Sequence, residues 1–548
     1  MATRRWLGKA IDVAMVRTYT PANPQTGAVF TLTCDGLDVS YTVTAADMTS
    51  GNGDEASAVA AVVDGILAAL QAVQESGSII QQFNEVTGAD QTTYLQLTGA
   101  TKGKPFTITS SATGGSSAQN EQQTLSFTGT PSSGNFAITY DGETTANIAY
   151  NANAATVQSA LEALSTIGSS NVSCSGGDLP SNAVVIEFVA SLANTNVPLA
   201  TAASVNLDTG TVAIATTQSG SAGVAAFTAN TATAATGKNF FDNLDNWSGG
   251  AVPIDADDIV YDSGNVDCLY NIDQSSLTPA SLTITAGYTG KIGLPITNKD
   301  SSQFPYVEYR DRYLKLCDSS DNTTTLVAIG EGEGAGSGRL LLDFNTGQVT
   351  GNIYRTGQPP GDGSAPLQIK GTHASTTWQV VRGRVDFAPL AGESCVIATL
   401  EMAYVTNQAS DAQVFCGAGC TPSTIDKEGG VLQVNSAIGT LIKNSSGETT
   451  INGTGAVAGL IVDGGTIYYN TSGTLGGNPV VSGSGRLDFS RDTRSKTITN
   501  PVEIYGDKAI FWDPHKVAGN VVLDLNQTGN SDKINLGTNL RITRGAVV

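Results

Sequence analysis

From about residue 265 to the C-terminus the chain is a succession of short apolar runs, each with alternating side chains and a Gly, Asn or Asp at its edge. SLTITAG (281–287), GRLLLDF (338–344), TWQVVRGRVDFAP (377–389), GGVLQVNSA (429–437), GLIVDGGTIYYN (459–470) and GRLDFS (485–490) set the texture. Period-two alternation over so few residues specifies strands buried on one face. An amphipathic helix would need apolar residues three and four apart over a longer window. Turns at this spacing also suit a β-sandwich, which stands as the alternative. The lack of longer hairpin meanders favours a parallel β-solenoid over 239–548, burying Val, Ile and Leu inside while Gly rounds the corners.

The first half of the chain carries an internal repeat. GAVFTLTCDGLDVSYTVT (27–44) precedes an Ala-rich helical stretch, EASAVAAVVDGILAALQAVQES (55–76), and apparent strands at SIIQQFNEV (78–86), TTYLQLTGA (92–100) and KPFTITSSA (104–112). The same order returns in GNFAITYDGETTANIAYN (134–151), the helix AATVQSALEALST (154–166), and strands at 171–176, 183–191 and 196–204. Asp35-Gly36 and Asp141-Gly142 each follow an alternating run, a signal for a two-residue type I′ hairpin. Val157, Ala160, Leu161 and Leu164 lie at helical spacing, so one stripe of that helix packs on a sheet. The expected fold class is therefore mainly β and multi-domain, with two small α+β (ββαβββ-like) modules followed by the solenoid. The boundaries read as a basic arm at 1–20, module 1 at 21–118, module 2 at 119–220 and an Ala/Thr/Gly-rich linker at 221–238.

Forty-nine acidic against 28 basic residues leave a net charge of −21. A protein gripping phosphates needs a basic face, so a nucleic-acid-binding body is excluded. With two histidines in the chain, His373 and His515, a histidine triad or multi-His metal site has little to draw on. The seven cysteines are odd in number and widely spaced, unlike a secreted disulfide framework. Cys416 and Cys420 form the one close pair, and a bridge from Cys395 to either is left open. No cofactor is expected. Asp242, Asp245, Asp255, Asp257 and Asp258 are hard-oxygen candidates for Ca²⁺, although their spacing is not that of an EF-hand. The N-terminal apolar run is short and broken by Asp12, and no stretch is expected to cross a membrane, which predicts synthesis in the cytoplasm.

Arg4, Arg5, Trp6, Lys9 and Arg17 concentrate basic charge and one Trp ahead of this acidic body. They are the candidate docking residues of an arm that seats on an acidic partner surface.

The second repeat, NEQQTLSFTGTPSSGNFAITYDGETTANIAYNANAATVQSALEALSTIG (120–168), resembles a module of tailed-bacteriophage virion proteins. The start MATRRWLGKAIDVA is similar to the opening of phage structural proteins that carry such modules. NFFDNLDNWSGGAVPIDADDIVYDSG (239–264) resembles the segment that opens virion or extracellular β-solenoids, with Trp247, Phe240 and Phe241 as end caps. The resemblance implies an exterior capsid decoration or fibre-like virion protein docked through its N-terminal part. Its expected partners are capsid or tail proteins and further copies of itself, as a trimer. The alternative it implies is a tail fibre or tailspike that binds, or degrades, a host surface glycan. Degradation needs two carboxylates roughly 5–10 Å apart, and nothing in the spacing of Asp343, Asp386, Glu401, Asp463 and Asp488 selects a pair. GEGEGAGSG (330–338) lacks the Lys of a phosphate-binding loop. The chain is thus expected not to be an enzyme.

Overall fold

A computed structural model describes residues 2–49, 55–75, 81–114, 118–221, 223–298, 305–317, 323–403, 412–500, 502–505, 508–515, 517–518, 521–524 and 540–544. The chain is mainly β. It divides into two compact units. One comprises Met1–Met15, Thr101–Pro105 and Ala234–Val548, the other Val16–Ala100 and Phe106–Thr233.

The first unit is organised by two long parallel sheets, of 14 and 10 strands. From Thr324–Glu331 to Val521–Asp524, successive strands alternate between them. Register is kept from strand to strand, so like positions stack. Leu342, Ile369, Phe387, Cys416, Val434, Ile451 and Tyr469 form one such inward row, and every one of them is buried. Burying a side chain of this size contributes about 1.5–3 kcal/mol, and the row is repeated on the opposite sheet. Isolated parallel bridges Ile438–Val457, Val457–Leu475 and Leu475–Ile498 add a third stacked line. A single hydrophobic core results, reaching from Trp6 to Ala518. Glycine serves the packing at Gly351, which lies opposite Trp378. A Cβ there would come within 2.1 Å of the indole ring.

Residues 1–20 do not form a separate arm. Thr3–Arg5 pairs in parallel with Asp258–Tyr261 and is the first strand of the larger sheet. Trp6 is 3% exposed, packs edge-on against Trp247 at 5.1 Å and lies tilted against Tyr261 at 5.7 Å. The reason is physical: a Trp beside an unpaired strand edge gains more by closing the core than by facing water. Val16–Ala22, by contrast, is a strand of the second unit.

The second unit contains two sub-domains of one topology. In the later one, strands 122–128, 172–176, 184–188 and 211–218 make one sheet and 135–140, 143–144, 148–149 and 201–205 another. In the earlier one, 16–22, 86–90, 95–99 and 226–233 correspond to the first sheet, and 29–34, 37–42 and 109–113 to the second. The stretch expected as a linker therefore supplies a strand, Ala226–Thr233, which pairs with Val16–Ala22. The later sub-domain is inserted between the last two strands of the earlier. Both hairpins turn through left-handed central residues, Asp35 and Gly36 at φ 53° and 73°, Asp141 and Gly142 at 45° and 83°, the type I′ geometry.

Two expectations need correction here. Residues 81–85 of the strand expected at 78–86 form a 3₁₀ turn ahead of Val86–Asp90, and 78–80 lie outside the described residues. Second, helix Glu55–Glu75 contains a window, Ser57–Gln74, of mean hydropathy 1.6, apolar and long enough to span a membrane. Its apolarity has a local use: Ala58, Val62, Ile66 and Leu70, one stripe at helical spacing, are fully buried. Gly65 in the same helix leaves room for the Tyr41 ring, which a Cβ would meet at 2.3 Å.

Candidate functional site

The outward face of the smaller sheet carries a hollow lined by charged, amide and apolar side chains. Gln368, Asp386, Phe415 and Gln433 stand in register on four neighbouring strands. Arg384, Gln413 and Val431 form a second row two residues upstream. These residues point outward because their neighbours Leu367, Val385, Val414 and Leu432 occupy the core, as the two-residue period of a strand requires. Ile296, Ser364, Pro389 and Leu390 wall the hollow from flanking loops, and its volume is about 500 Å³.

Asp386 is the only carboxylate among the described residues that line this cleft. It is 4% exposed, and its Oδ2 accepts from Arg384 Nη2 at 3.3 Å. Its Oδ1 is buried away from solvent. Burial pushes the Asp386 carboxyl above the ordinary aspartate value, with the Arg384 guanidinium and the Ala365 amide offsetting part of the rise. Gln368 is held by its Oε1, which accepts from the buried Tyr313 hydroxyl at 3.0 Å. A smaller hollow of about 300 Å³ nearby holds the Lys370–Asp343 ion pair, 3.0 Å, and Glu393.

The candidate carboxylates are not brought together. Asp343 and Asp386 stand two strands and two residues apart, roughly 12 Å at ~4.8 Å per strand and ~3.3 Å per residue. Asp386 and Asp488 share one outward row five strands apart, about 24 Å on the same spacing. Glu401 belongs to the other sheet, where it accepts from Gln379 Nε2 at 3.2 Å, and Asp463 accepts from Ser482.

The candidate docking residues are dispersed. Arg4 Nε meets Asp257 Oδ2 at 3.1 Å, Arg5 pairs with Asp262, and Trp6 Nε1 donates to the Val266 carbonyl at 3.0 Å. Burial alone would lift the Asp257 carboxyl, but hydrogen bonds from the Ala2 amide and Arg4 hold it below the ordinary value. Arg17 lies in the second unit, donating to the Ile108 carbonyl at 2.6 Å. Lys9 is exposed, between exposed Leu7 and Ile11.

The aspartates considered for Ca²⁺ each have a separate partner or place. Asp242 accepts from Asn271, Asp255 from the Thr278 amide, and Asp258 from Ser281, while Asp257 serves Arg4 and Asp245 is the middle residue of a 3₁₀ turn capped by Asn243. Among the described residues no group of three or more His, Cys, Asp or Glu is placed to hold a metal ion.

None of the seven cysteines is in a disulfide. Cys395 and Cys420 face each other across adjacent parallel strands, and the Cys420 thiol reaches those of both Cys395 and Cys416, which together with burial push it far above the ordinary thiol value.

The cleft itself escaped the sequence reading. Its signal was the pentapeptide Gly-Arg-x-Asp-Phe, present at 383–387 and again at 485–489. No family profile and no curated protein matches this chain.

Proposed function

We propose that this protein is a structural component of a tailed-bacteriophage particle, an exterior capsid decoration or fibre-like projection whose rod is a parallel β-solenoid. The observation that carries this reading is the single core from Trp6 to Ala518 beneath two sheets of stacked parallel strands. Such an arrangement lengthens by repetition, and each added turn of chain contacts only its neighbours, the economy of a spacer. The likeness of residues 120–168 to modules of phage virion proteins directs the reading to a particle. The acidic surface supports it too, since a net charge of −21 keeps densely displayed copies from adhering to one another.

Attachment runs through the exposed part of the N-terminal segment, Leu7, Lys9 and Ile11, with Ile11 84% exposed. The rod assembles as a homo-oligomer, a trimer, in which neighbouring copies shield one another's flanks. Imaging of particles that carry a labelled copy of the chain tests the assignment. Regularly spaced label over the head is the expected result, label confined to the tail tip transfers the protein to adsorption, and unlabelled particles refute it. Sedimentation of the purified chain as a stable monomer would remove the trimer.

A further inference from the structure

Three of the chain's seven cysteines meet at one corner of the first unit. Cys395 opens strand Cys395–Met402 and Cys420 opens its parallel neighbour, Cys420–Lys427, with the two residues directly in register. Neighbouring strands run about 4.8 Å apart, inside the Cα separation of roughly 4.4–6.8 Å that a disulfide spans. Cys416 closes strand Ala412–Cys416, and the chain then turns through Gly417, Ala418 and Gly419, where the Cys420 amide donates to the Gly417 carbonyl at 3.0 Å. All three side chains are at most 1% exposed, and the Cys420 thiol is in contact with both of the others. Two further thiols of this unit face hydroxyls instead: Cys268 accepts from the Tyr261 hydroxyl at 3.5 Å, and Cys317 lies 3.4 Å from that of Thr325.

We propose that this corner is a thiol-oxidation site, in which Cys420 and Cys395 close a disulfide that staples two neighbouring strands of the larger sheet when the chain meets a small-molecule disulfide. The Cys420 thiolate attacks one sulfur of the oxidant and expels the other half as a thiolate. The Cys395 thiolate then attacks the Cys420 sulfur of the mixed disulfide and expels the second half. Two electrons and two thiol protons thus pass to the oxidant, which leaves as two thiols. The partner is Cys395 rather than Cys416 for two reasons. A Cys416–Cys420 bond would cross a corner packed tightly on the turn before it, where a Cβ at Gly417 or Gly419 would stand 1.9 Å from the Ala388 or Glu393 carbonyl oxygen. A Cys395–Cys420 bond joins residues already held in register and 25 residues apart in sequence, and the longer closed loop gains more stability than the short one at the corner. Ala418 is exposed at the tip of the corner. Local opening there admits the oxidant, so the reaction takes hours rather than seconds. The chemistry belongs to the chain alone; the particle reading adds only the setting, a reducing cytoplasm during synthesis and an oxidising medium after release.

The test uses the full reduced chain, incubated with excess glutathione disulfide, then denatured, alkylated with a maleimide and read by intact mass and by peptide mapping without reduction. Two fewer thiols than the seven of the untreated chain are expected to react, and Cys395 and Cys420 should appear in one cross-linked peptide. The melting temperature should rise by several degrees and return when dithiothreitol is added. Cys395→Ala and Cys420→Ala should each abolish that cross-link, while Cys416→Ala and Cys34→Ala keep it. Each variant is compared with itself before and after oxidation, so a change in its starting stability does not mask the result. Seven reactive thiols after a day in the oxidant, a glutathione adduct that never resolves, or a final bond between Cys416 and Cys420 would each overturn the assignment. None of these outcomes bears on whether the protein belongs to a particle.

Discussion

Replacing Trp6 with Ala separates a closing role for the N-terminal segment from a purely docking one. Trp6 is 3% exposed, touches Trp247 and Tyr261, and donates to the Val266 carbonyl. A buried aromatic removes about 150–250 Å² from water, which at ~25 cal/mol per Å² is about 4–6 kcal/mol. Residual burial in the unfolded chain lowers this by roughly 10–40%, and Ala recovers a little. The expected loss is about 3–4 kcal/mol, within the range of about 3–5 kcal/mol for aromatic-to-Ala substitutions in cores. Denaturant unfolding followed by tryptophan fluorescence measures it, and the first unit should lose its transition midpoint while the second, which contains no Trp, keeps its circular-dichroism transition. Lys9→Ala in parallel should leave both unchanged. If Trp6→Ala alters stability by less than about 0.5 kcal/mol, the size of an ordinary surface substitution, the segment does not close the core and the argument fails.

Other outcomes follow from single contacts. Gly351→Ala should cost about 1–3 kcal/mol through overpacking against Trp378, and Trp378→Phe in the same chain should return part of it; strict additivity of the two in denaturant melts would contradict the clash. Asp257, with a lowered carboxyl, contributes stability that is complete above the unfolded aspartate value of about 3.9 and is lost as pH falls through the lower native value. The melting gap between wild type and Asp257→Asn should therefore be widest at pH 7 and narrow toward pH 2, and a gap independent of pH would rule the linkage out. Burial pushes the Cys174 and Cys268 thiols up to about 12, and contact with the Cys395 and Cys416 thiols together with burial holds Cys420 well above the ordinary thiol value. A maleimide at pH 8 should leave the native chain unlabelled and modify seven thiols after denaturation; rapid native labelling of Cys395, Cys416 or Cys420 would show that their corner opens. Lys9→Glu combined with Ile11→Asp should lower particle occupancy at unchanged melting temperature, and full occupancy would refute attachment through that patch.

Local order was legible where short-range physics decides it. Asp35-Gly36 and Asp141-Gly142 carried their own turn geometry, and Val157 and Leu161 of the expected stripe lie on the buried face of helix Ala154–Glu162, which ends sooner than expected, with half-buried Ala160 at its side and buried Leu164 in the bend beyond it. Alternation alone located strands such as Ser281–Thr285 and Val431–Val434. Pairing over hundreds of residues left no local trace. Nothing in TRR at 3–5 names Asp258–Tyr261 as its partner, and Ala226–Thr233 reads as a linker because Ala and Thr show their strand character only when Val16–Ala22 lies beside them. The cleft was hidden for a related reason. Gln368, Asp386, Phe415 and Gln433 are separated by 18 to 29 residues in sequence and meet only through strand register.

The ion pair between Arg4 and Asp257 spans 253 residues, and this sets an order of events during synthesis. At about 5–20 residues per second, the first strand leaves the ribosome roughly 13–50 s before its neighbour exists. The strands of the second unit, from Val16–Ala22 to Ala226–Thr233, are all made within that interval, before Asp258–Tyr261. Thr3–Arg5 is thus made well before the strand it pairs with and is among the latest to find its place.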